Sequence, residues 1–347
     1  MGKRIIFCAD GTWDDSAKNT NVYRFFKALE TTAGQVAFYD DGVGSDGQPL
    51  NKLVGGAFGA GLFQKIKDGY TKIAHVYEQG DQVFIIGFSR GAYTARCLAG
   101  MIAVCGLPTA DFSDDMVNQA FQAYRDKNNR EQILAGLNKT YALFDAKITM
   151  VGVWDTVGSL GIPAIVGGVD PVLYGFLDTT LHPDVQNACH AVAIDERRLE
   201  FPATLWEDPV PGQTLEQVWF CGVHSDVGGS YPDDPDGSAL SDLTFAWMLS
   251  KAIALGVTVD PAVSAKYAVP MDPKYAMDTK HESWSVLWTF PKRRTIAPTS
   301  SIANSVYTRI ANDSSYRPEN LTFTGGALAS GYQQVPIVTA MKVPEDV

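Results

Sequence analysis

A serine between two glycines, at the end of an apolar run, is the feature of this sequence best suited to chemistry. Residues 83–88 are apolar, and the Gly-Phe-Ser-Arg-Gly motif around Ser89 leads directly into a helix-forming segment. A serine held at such a strand–turn–helix junction exposes its hydroxyl. Gly87 and Gly91 supply the small residues that a sharp turn requires. Ser89 is therefore a candidate nucleophile, although serine is also a common N-terminal cap of helices.

An aspartate and a histidine follow two other strand-like runs. Asp155 directly follows residues 147–154, and His224 directly follows residues 217–223. Because the carboxyl ends of parallel strands meet at one edge of a sheet, we expect both side chains near Ser89. The order Ser, Asp, His along the chain is that of α/β-hydrolases.

These three residues predict a Ser-His-Asp catalytic triad. A serine hydroxyl needs a base to attack a carbonyl, and His224 would accept its proton and later return it to the leaving group. Asp155 would hold the imidazole in the required tautomer and stabilise its protonated form. The predicted reaction is ester hydrolysis through an acyl-enzyme.

The oxyanion that forms in this reaction needs two backbone N–H donors. One is predicted at Arg90, directly after the nucleophile, and the other at Gly11 or Thr12, after the first strand. Asp10 has two interpretations that carry equal weight: a turn residue that binds its own loop, or a support for the oxyanion hole.

Other residues could compete for the roles of acid and base. Asp226 and Asp195 are the alternative acids, and Asp226 is expected to cap N–H groups of the loop that holds His224. Among the other histidines, surface or packing roles are expected for His75 and His190, in helical patterns, and for His182, before a proline. His281, in an irregular region, remains an alternative base.

Strand-like and helical patterns alternate along the first two-thirds of the chain. This alternation predicts an α/β fold of the hydrolase type, with a mainly parallel central sheet and helices on both faces. The predicted strands are 4–9, 35–39, 82–88, 147–154 and 217–223, and the predicted helices are 22–31, 62–78, 92–104, 114–137 and 240–255.

The 347 residues are predicted to form a single domain, because no repeat, linker or low-complexity tract divides them. Residues 42–61 are rich in glycine and predict a long loop or a close backbone approach. Residues 157–176 are apolar and rich in Gly and Pro, which indicates a buried connection or a lid over an apolar pocket. From about residue 260 the chain is predicted to be irregular and to wrap the core or the cleft.

Composition restricts the partners and the compartment. A net charge of −11 argues against nucleic acid and against purely electrostatic docking on an anionic membrane. Five cysteines without close pairing predict free or buried thiols. No metal-binding cluster and no cofactor motif is evident. The absence of a signal-peptide pattern and of a spanning apolar run predicts a cytoplasmic protein, or one exported without an N-terminal signal.

Several motifs together resemble a known family. These are residues 7–14 (FCADGTWD), 87–92 (GFSRGA), 153–158 (VWDTVG), 193–198 (AIDERR), 222–229 (GVHSDVGG) and 316–321 (YRPENL). In this combination the chain resembles the α/β-hydrolase family that contains the first class of type VI secretion phospholipase effectors. The resemblance implies the same triad, a lipid or other apolar ester as substrate, and a secretion-machine or immunity partner. At most peripheral membrane contact is expected, since neither a spanning apolar run nor a long basic amphipathic helix is evident. The alternative is a non-enzymatic lipid- or protein-binding module on a hydrolase fold.

Overall fold

The central feature of the fold is a parallel sheet of eight strands. The computed structural model describes residues 2–11, 19–42, 56–109, 111–157, 180–207, 209–285, 288 and 290–339, with the backbone alone described for 56–59. The strands of this sheet are β1 (Arg4–Ala9), β2 (Gln35–Asp40), β3 (Gln82–Phe88), β6 (Ile148–Trp154), β7 (Val185–Ala193), β8 (Thr214–Phe220), β9 (Ser301–Ala303) and β12 (Gln333–Val335). The strand order is β12-β9-β8-β7-β6-β3-β1-β2, and every neighbouring pair is parallel.

Helices cover both faces of the sheet. They are α1 (Asn21–Ala28), α2 (Gly56–Ala74), α3 (Ser89–Cys105), α4 (Asp114–Arg125), α5 (Arg130–Thr140), α6 (His224–Gly228), α7 (Ser241–Ala254), α8 (Pro261–Lys266) and α9 (Asn304–Asn312), with a 3-10 turn at Pro273–Met277. Two short antiparallel pairs complete the described elements: β4 (Leu107–Pro108) with β5 (Leu143–Phe144), and β10 (Phe323–Thr324) with β11 (Ala327–Leu328). The α/β fold with a mainly parallel sheet is confirmed.

Side chains alternate between the two faces of each strand, and this alternation builds two apolar layers. Ile6 and Phe84 pack on the face that α1 and α7 cover, whereas Ile5 and Val83 pack on the face that α2, α3 and α4 cover. Continuous apolar strands are what a sheet buried on both faces requires.

The sequence missed a central strand and misplaced several boundaries. β7 lies between β6 and β8, in a segment around His190 for which the sequence pattern predicts a helix. The predicted helix 114–137 is two helices, because the Asp126 carboxylate accepts the N–H groups of Asn128 and Asn129 and ends α4 there. Residues 56–61, expected in a loop, open α2. The predicted strand 217–223 ends at Phe220.

The chain after residue 260 is more regular than predicted. It contributes β9 and β12 to the edge of the main sheet next to β8, and α9 follows β9 directly. Buried side chains of this region join the layer formed with α1 and α7, among them Ile302, Val306 and Ile337. The region therefore completes the core as well as wrapping it.

Candidate active site

The candidate site lies where the order of the strands changes direction. From β1 the chain passes to β2 on one side, and it then returns to β3 on the other side of β1. In open parallel sheets a crevice forms outside the carboxyl ends of the strands at this point. Asp10 follows β1 and Ser89 follows β3, so both flank the crevice.

Ser89 lies at a sharp turn between β3 and α3. Its φ of 57° is a left-handed conformation that residues other than glycine rarely adopt. A Cβ added to Gly91 would lie 2.2 Å from the carbonyl oxygen of Ala9, and one added to Gly87 would lie 2.5 Å from that of Gly91. The glycines are therefore needed for close approach of the backbone, as the sequence predicted.

His224 connects the serine to an acid. Its Nε2 lies 2.8 Å from Ser89 Oγ, and its Nδ1 lies 2.6 Å from Asp155 Oδ2. The imidazole packs against the rings of Phe88 and Phe201, with centroid distances of 4.6 and 5.1 Å. All three side chains of the chain Ser89–His224–Asp155 are buried. The structure thus brings together the residues that the strand ends selected.

Asp155 is held by more groups than the sequence indicated. It directly follows β6, with a φ of 40°, and its Oδ1 accepts the Ala193 N–H at 2.9 Å. Arg294 donates from Nη1 to Oδ1 at 2.5 Å and from Nη2 to Oδ2 at 2.9 Å. Arg294 also donates to the carbonyl oxygens of Ala193 and Phe201 and is itself buried. A two-pronged contact of this kind fixes both the position and the plane of a carboxylate.

These contacts determine which groups are charged. Burial opposes ionisation of Asp155, but Arg294 and the hydrogen bond with His224 outweigh it and hold the pKa of that carboxyl well below its usual range. Burial lowers the pKa of the His224 imidazole, and Asp155 offsets part of this effect. At neutral pH the site therefore holds an ionised aspartate and a neutral histidine that is able to accept a proton.

Arg294 is the site residue that sequence reasoning missed. It lies 139 residues after Asp155, in the region that was predicted to be irregular, and no local pattern marks it. A chemical argument could have identified it, because a buried carboxylate at a strand end needs a partner for its charge. Two adjacent arginines, 293 and 294, occur in the region that is predicted to be irregular.

A second buried carboxylate supports His224 from the backbone side. Glu196 Oε2 accepts the His224 N–H at 3.2 Å, and Arg198 donates to both of its oxygens at 3.0 and 2.8 Å. Burial raises the pKa of Glu196, but Arg198 reverses this and brings it to about 2. The Ser283 hydroxyl also donates to Glu196. Glu196 therefore anchors the segment that begins α6.

The predicted oxyanion residues divide into three cases. Arg90 is in the first turn of α3, next to Ser89, where the positive end of the helix dipole favours an anion. The Gly11 N–H donates to Asp10 Oδ1 at 2.8 Å, so a role in the oxyanion hole would require this bond to break. Thr12 lies outside the described residues. Asp10 also accepts the hydroxyls of Thr20 and of Tyr39 on β2, both at 2.6 Å.

The alternative acids bind elsewhere. Asp226 accepts the Val223 N–H at 2.9 Å, so the prediction that it caps its own loop is confirmed, and its Oδ1 lies 2.6 Å from Nδ1 of His281. Asp195 accepts the Gly222 N–H at 2.7 Å and the Tyr316 hydroxyl at 2.9 Å. Both carboxylates shape the loop around His224.

The remaining histidines have packing roles, one of them in an unexpected element. His190 is not helical: it is buried on β7 and accepts the Thr156 N–H on Nε2 at 3.1 Å. His75 follows α2 and stacks on Phe112, and the His182 ring lies 3.5 Å from Asp184.

Further predictions concern metals, thiols and two segments. Within the described ranges, no group of three or more His, Cys, Asp or Glu side chains could hold a metal ion, and no helix is both long and apolar enough to span a bilayer. All five cysteines are free and buried, as predicted. Most of the lid candidate, residues 158–176, lies outside the described residues, and so do residues 43–55 of the glycine-rich loop.

Parts of this chain align with known proteins. An uncharacterized protein of Saccharomyces cerevisiae, YEL023C, is 31% identical over 227 residues, which cover 58% of this chain and 32% of that protein. The crystal structure of an uncharacterized protein from Pseudomonas aeruginosa aligns with 77% of this chain and 49% of that chain, at 16% identity and a TM-score of 0.48. The structure of the Tle1 effector bound to the VgrG spike of a type 6 secretion system aligns with 68% of this chain and 52% of that one, at 15% identity and a TM-score of 0.39.

These alignments show that the chain spans about a third of the yeast relative and about half of each solved chain. A family model matches more than half of this chain. The match runs over residues 3–251 and includes Ser89, Asp155 and His224. The chain accordingly belongs to the family described as the catalytic domain of Tle1-like phospholipase effectors of type VI secretion.

Proposed function

We propose that this protein is a serine carboxylester hydrolase that acts through an acyl-enzyme. The observation that carries the proposal is the unbroken hydrogen-bonded chain from Ser89 Oγ through His224 to Asp155. Its support from the comparisons is coarser: the chain belongs to a family of phospholipase-type hydrolases.

In the proposed reaction, Ser89 Oγ attacks the ester carbonyl while Nε2 of His224 takes its proton. The carbonyl oxygen becomes an oxyanion, which the Arg90 N–H and the positive end of α3 would stabilise. The protonated imidazole gives its proton to the departing alcohol, and an acyl-Ser89 ester remains. Water then attacks this ester with His224 again as base, which releases the carboxylic acid and restores the serine.

A groove next to His224 suits an ester that is apolar and anionic. It encloses about 440 Å³, and one of its lining residues is Phe201, whose ring lies against the imidazole. Leu199, Phe201 and Pro202 form apolar walls, and Lys292 and Arg293 are exposed cations of the same groove. A phospholipid combines acyl chains with a phosphate, and we therefore propose phospholipids as the substrate class.

The first test replaces the nucleophile. Ser89→Ala should reduce kcat on a short p-nitrophenyl ester by at least about 10⁴-fold, because the attacking atom is removed. Circular dichroism should show an unchanged fold. Ser315→Ala, which removes an exposed hydroxyl, is the matched control and should leave kcat unchanged. Undiminished turnover by Ser89→Ala would refute the proposed nucleophile.

Two further measurements separate the alternatives. His224→Gln should abolish turnover, whereas His281→Gln should retain most of it, since His281 is bound to Asp226; the opposite result would assign the base to His281. A fluorophosphonate probe should label Ser89 in the folded protein. Absence of labelling and of turnover together would favour the non-enzymatic binding module.

The substrate class needs a separate comparison. Phospholipid vesicles, emulsified triglyceride and a short soluble ester are to be hydrolysed side by side, with Ser89→Ala as blank. A higher kcat/KM on phospholipid than on triglyceride would support the proposed class. Hydrolysis of the soluble ester alone would keep the triad and reject phospholipid.

A further inference from the structure

A second cavity lies apart from the candidate active site, on the α3 and α4 side of the sheet. It encloses about 250 Å³, near the lower end of small-molecule pockets at roughly 300 Å³. Its apolar lining includes Ala99, Val104, Leu181, Val185 and Trp206. No residue of the chain Ser89–His224–Asp155 lines it.

Arg96 is a buried cation in the wall of this cavity. Its residue exposure is 5%, Nη1 donates to the Thr204 carbonyl at 2.5 Å, and the guanidinium stacks on Trp206 with its carbon 4.2 Å from the ring centroid. Nε and Nη2 are buried and have no hydrogen-bond partner among the described residues. Two donors of a planar fork are thus left unsatisfied.

The charges around the cavity are positive. Lys127, Arg130 and His182 also line it, and no acidic side chain does so within the described part of the chain. The permanent positive charge comes from the two arginines and the lysine. The fourth group, the His182 ring, lies close to the Asp184 carboxylate. This concentration of positive charge is unusual in a protein with a net charge of −11.

A buried guanidinium without a carboxylate partner is costly. Burial lowers the pKa of Arg96 to about 10, so it remains charged at neutral pH. Charged groups are removed from water in proteins when another charge or a ligand compensates them. An oxyanion suits the open donors, since arginine binds carboxylates and phosphates through two parallel hydrogen bonds.

We propose that this cavity is a binding site for an oxyanion that carries an apolar chain, with Arg96 as its main ligand. The oxyanion receives hydrogen bonds from Nε and Nη2 of Arg96, and the chain lies against Leu181, Val185 and Trp206. Phosphate monoesters and carboxylates share this chemistry. The site does not depend on Ser89, and the proposal holds whether or not the protein hydrolyses esters.

Calorimetry on the full chain tests the site with four probes: octyl phosphate, octanoate, inorganic phosphate and octan-1-ol. Octyl phosphate should bind saturably, and octan-1-ol should bind at least tenfold more weakly because it lacks the anion. Octanoate binding as tightly as octyl phosphate would identify a general oxyanion site. Weaker octanoate would identify a phosphate site, and inorganic phosphate measures the head group alone.

Variants assign the binding to the cavity. Arg96→Gln should weaken octyl phosphate binding at least tenfold, whereas Lys27→Gln, which removes an exposed cation outside the cavity and outside the groove near His224, should leave affinity unchanged. Ser89→Ala should bind like the wild type. Should Arg96→Gln not fold, Lys127→Glu reverses a charge at the exposed rim and should weaken binding severalfold. Equal affinity for octyl phosphate and octan-1-ol, or unchanged affinity in Arg96→Gln or in folded Lys127→Glu, would overturn the proposal.

Discussion

At the scale of single residues, the contrast between Asp155 and Arg294 is the most instructive. Asp155 lies at a strand end, and a local pattern identified it. Arg294 satisfies both oxygens of that carboxylate from 139 residues away. Removing one partner of a buried ion pair costs about 3–5 kcal/mol, because the other charge is left uncompensated. Arg294 is therefore expected to be a positioning residue, acting on the reaction through Asp155.

The pH profile of kcat/KM tests this role. The base must be neutral, and the pKa of His224 is lowered, so we expect the acid limb of the wild type below pH 6.5. Arg294→Met leaves the charge of Asp155 unbalanced, which favours imidazolium and should move the acid limb upward by roughly one pH unit or more.

Arg294→Lys is the control for charge. It retains a cation but not the two-pronged contact, so its acid limb should stay near that of the wild type while kcat falls. Profiles are measured on a soluble ester after circular dichroism has confirmed folding. An acid limb in Arg294→Met equal to that of the wild type would contradict the electrostatic role.

At the scale of elements, the turn from β3 into α3 depends on contact between backbones. The Gly91 position touches the carbonyl oxygens of Ala9 and Asp10, at the end of β1. The neighbouring strands β1 and β3 are therefore held close where the candidate nucleophile emerges. β7 holds the turn that follows β6, because His190 on β7 accepts the N–H of Thr156, directly after Asp155.

Gly91→Ala should disrupt the turn. Its Cβ would meet backbone oxygens at 2.2 and 2.4 Å, which cannot move without shifting β1, so we expect a loss of about 3 kcal/mol or more in the free energy of unfolding. Gly136→Ala in α5 is the matched control, since its Cβ meets nothing within 4 Å, and it should stabilise the protein by about 1 kcal/mol. Urea denaturation measures both, and equal stability of the two variants would refute the contact.

His190 should make stability depend on pH. Burial lowers its pKa to about 3, whereas in the unfolded chain it takes up a proton near pH 6.5. Between these values the unfolded state binds the extra proton, so this residue removes stability as pH falls below 6.5, by about 1.4 kcal/mol per pH unit.

His190→Gln should reduce the slope of the free energy of unfolding against pH by this amount per pH unit. Urea denaturation between pH 6.5 and 4.5 measures the slope. His75→Gln, which removes an exposed imidazole, is the matched control for the loss of a histidine. If the slope of His190→Gln equals that of the wild type, His190 is protonated in the folded state and the burial argument fails.

At the scale of the whole molecule, the family match ends at residue 251 but the fold does not. β9 and β12 cover the edge of β8, and α9 packs with the layer around α7. The same region supplies Arg294 to Asp155. The candidate site and the core are therefore both completed by the last quarter of the chain.

A chain ending at residue 260 should lose both the completed core and the candidate site. It would expose the edge of β8 and the apolar surface beneath Ile302 and Val306, which favours aggregation. We expect no cooperative urea transition and no ester turnover. Full-length Arg294→Met, which lacks only the guanidinium, serves as the comparison and should retain a cooperative transition. A soluble truncated chain with wild-type kcat/KM would show that the region after 260 is dispensable.

The sequence by itself determined the parallel α/β class, the turn at Ser89, and the choice of Asp155 and His224. These depend on local patterns: apolar runs for buried strands, glycines at a tight turn, and polar residues at strand ends. It did not identify β7, whose mixed composition resembles a helix until burial between β6 and β8 selects the strand.

Tertiary structure alone decided how the site is charged and completed. The Arg294–Asp155 pair, the support of His224 by Glu196, and the unsatisfied guanidinium of Arg96 all depend on contacts between residues far apart in the sequence, or on the burial that the fold creates. The physical reason is that local residue types determine the geometry of strands and turns, whereas the energy of a charge depends on everything that surrounds it after folding.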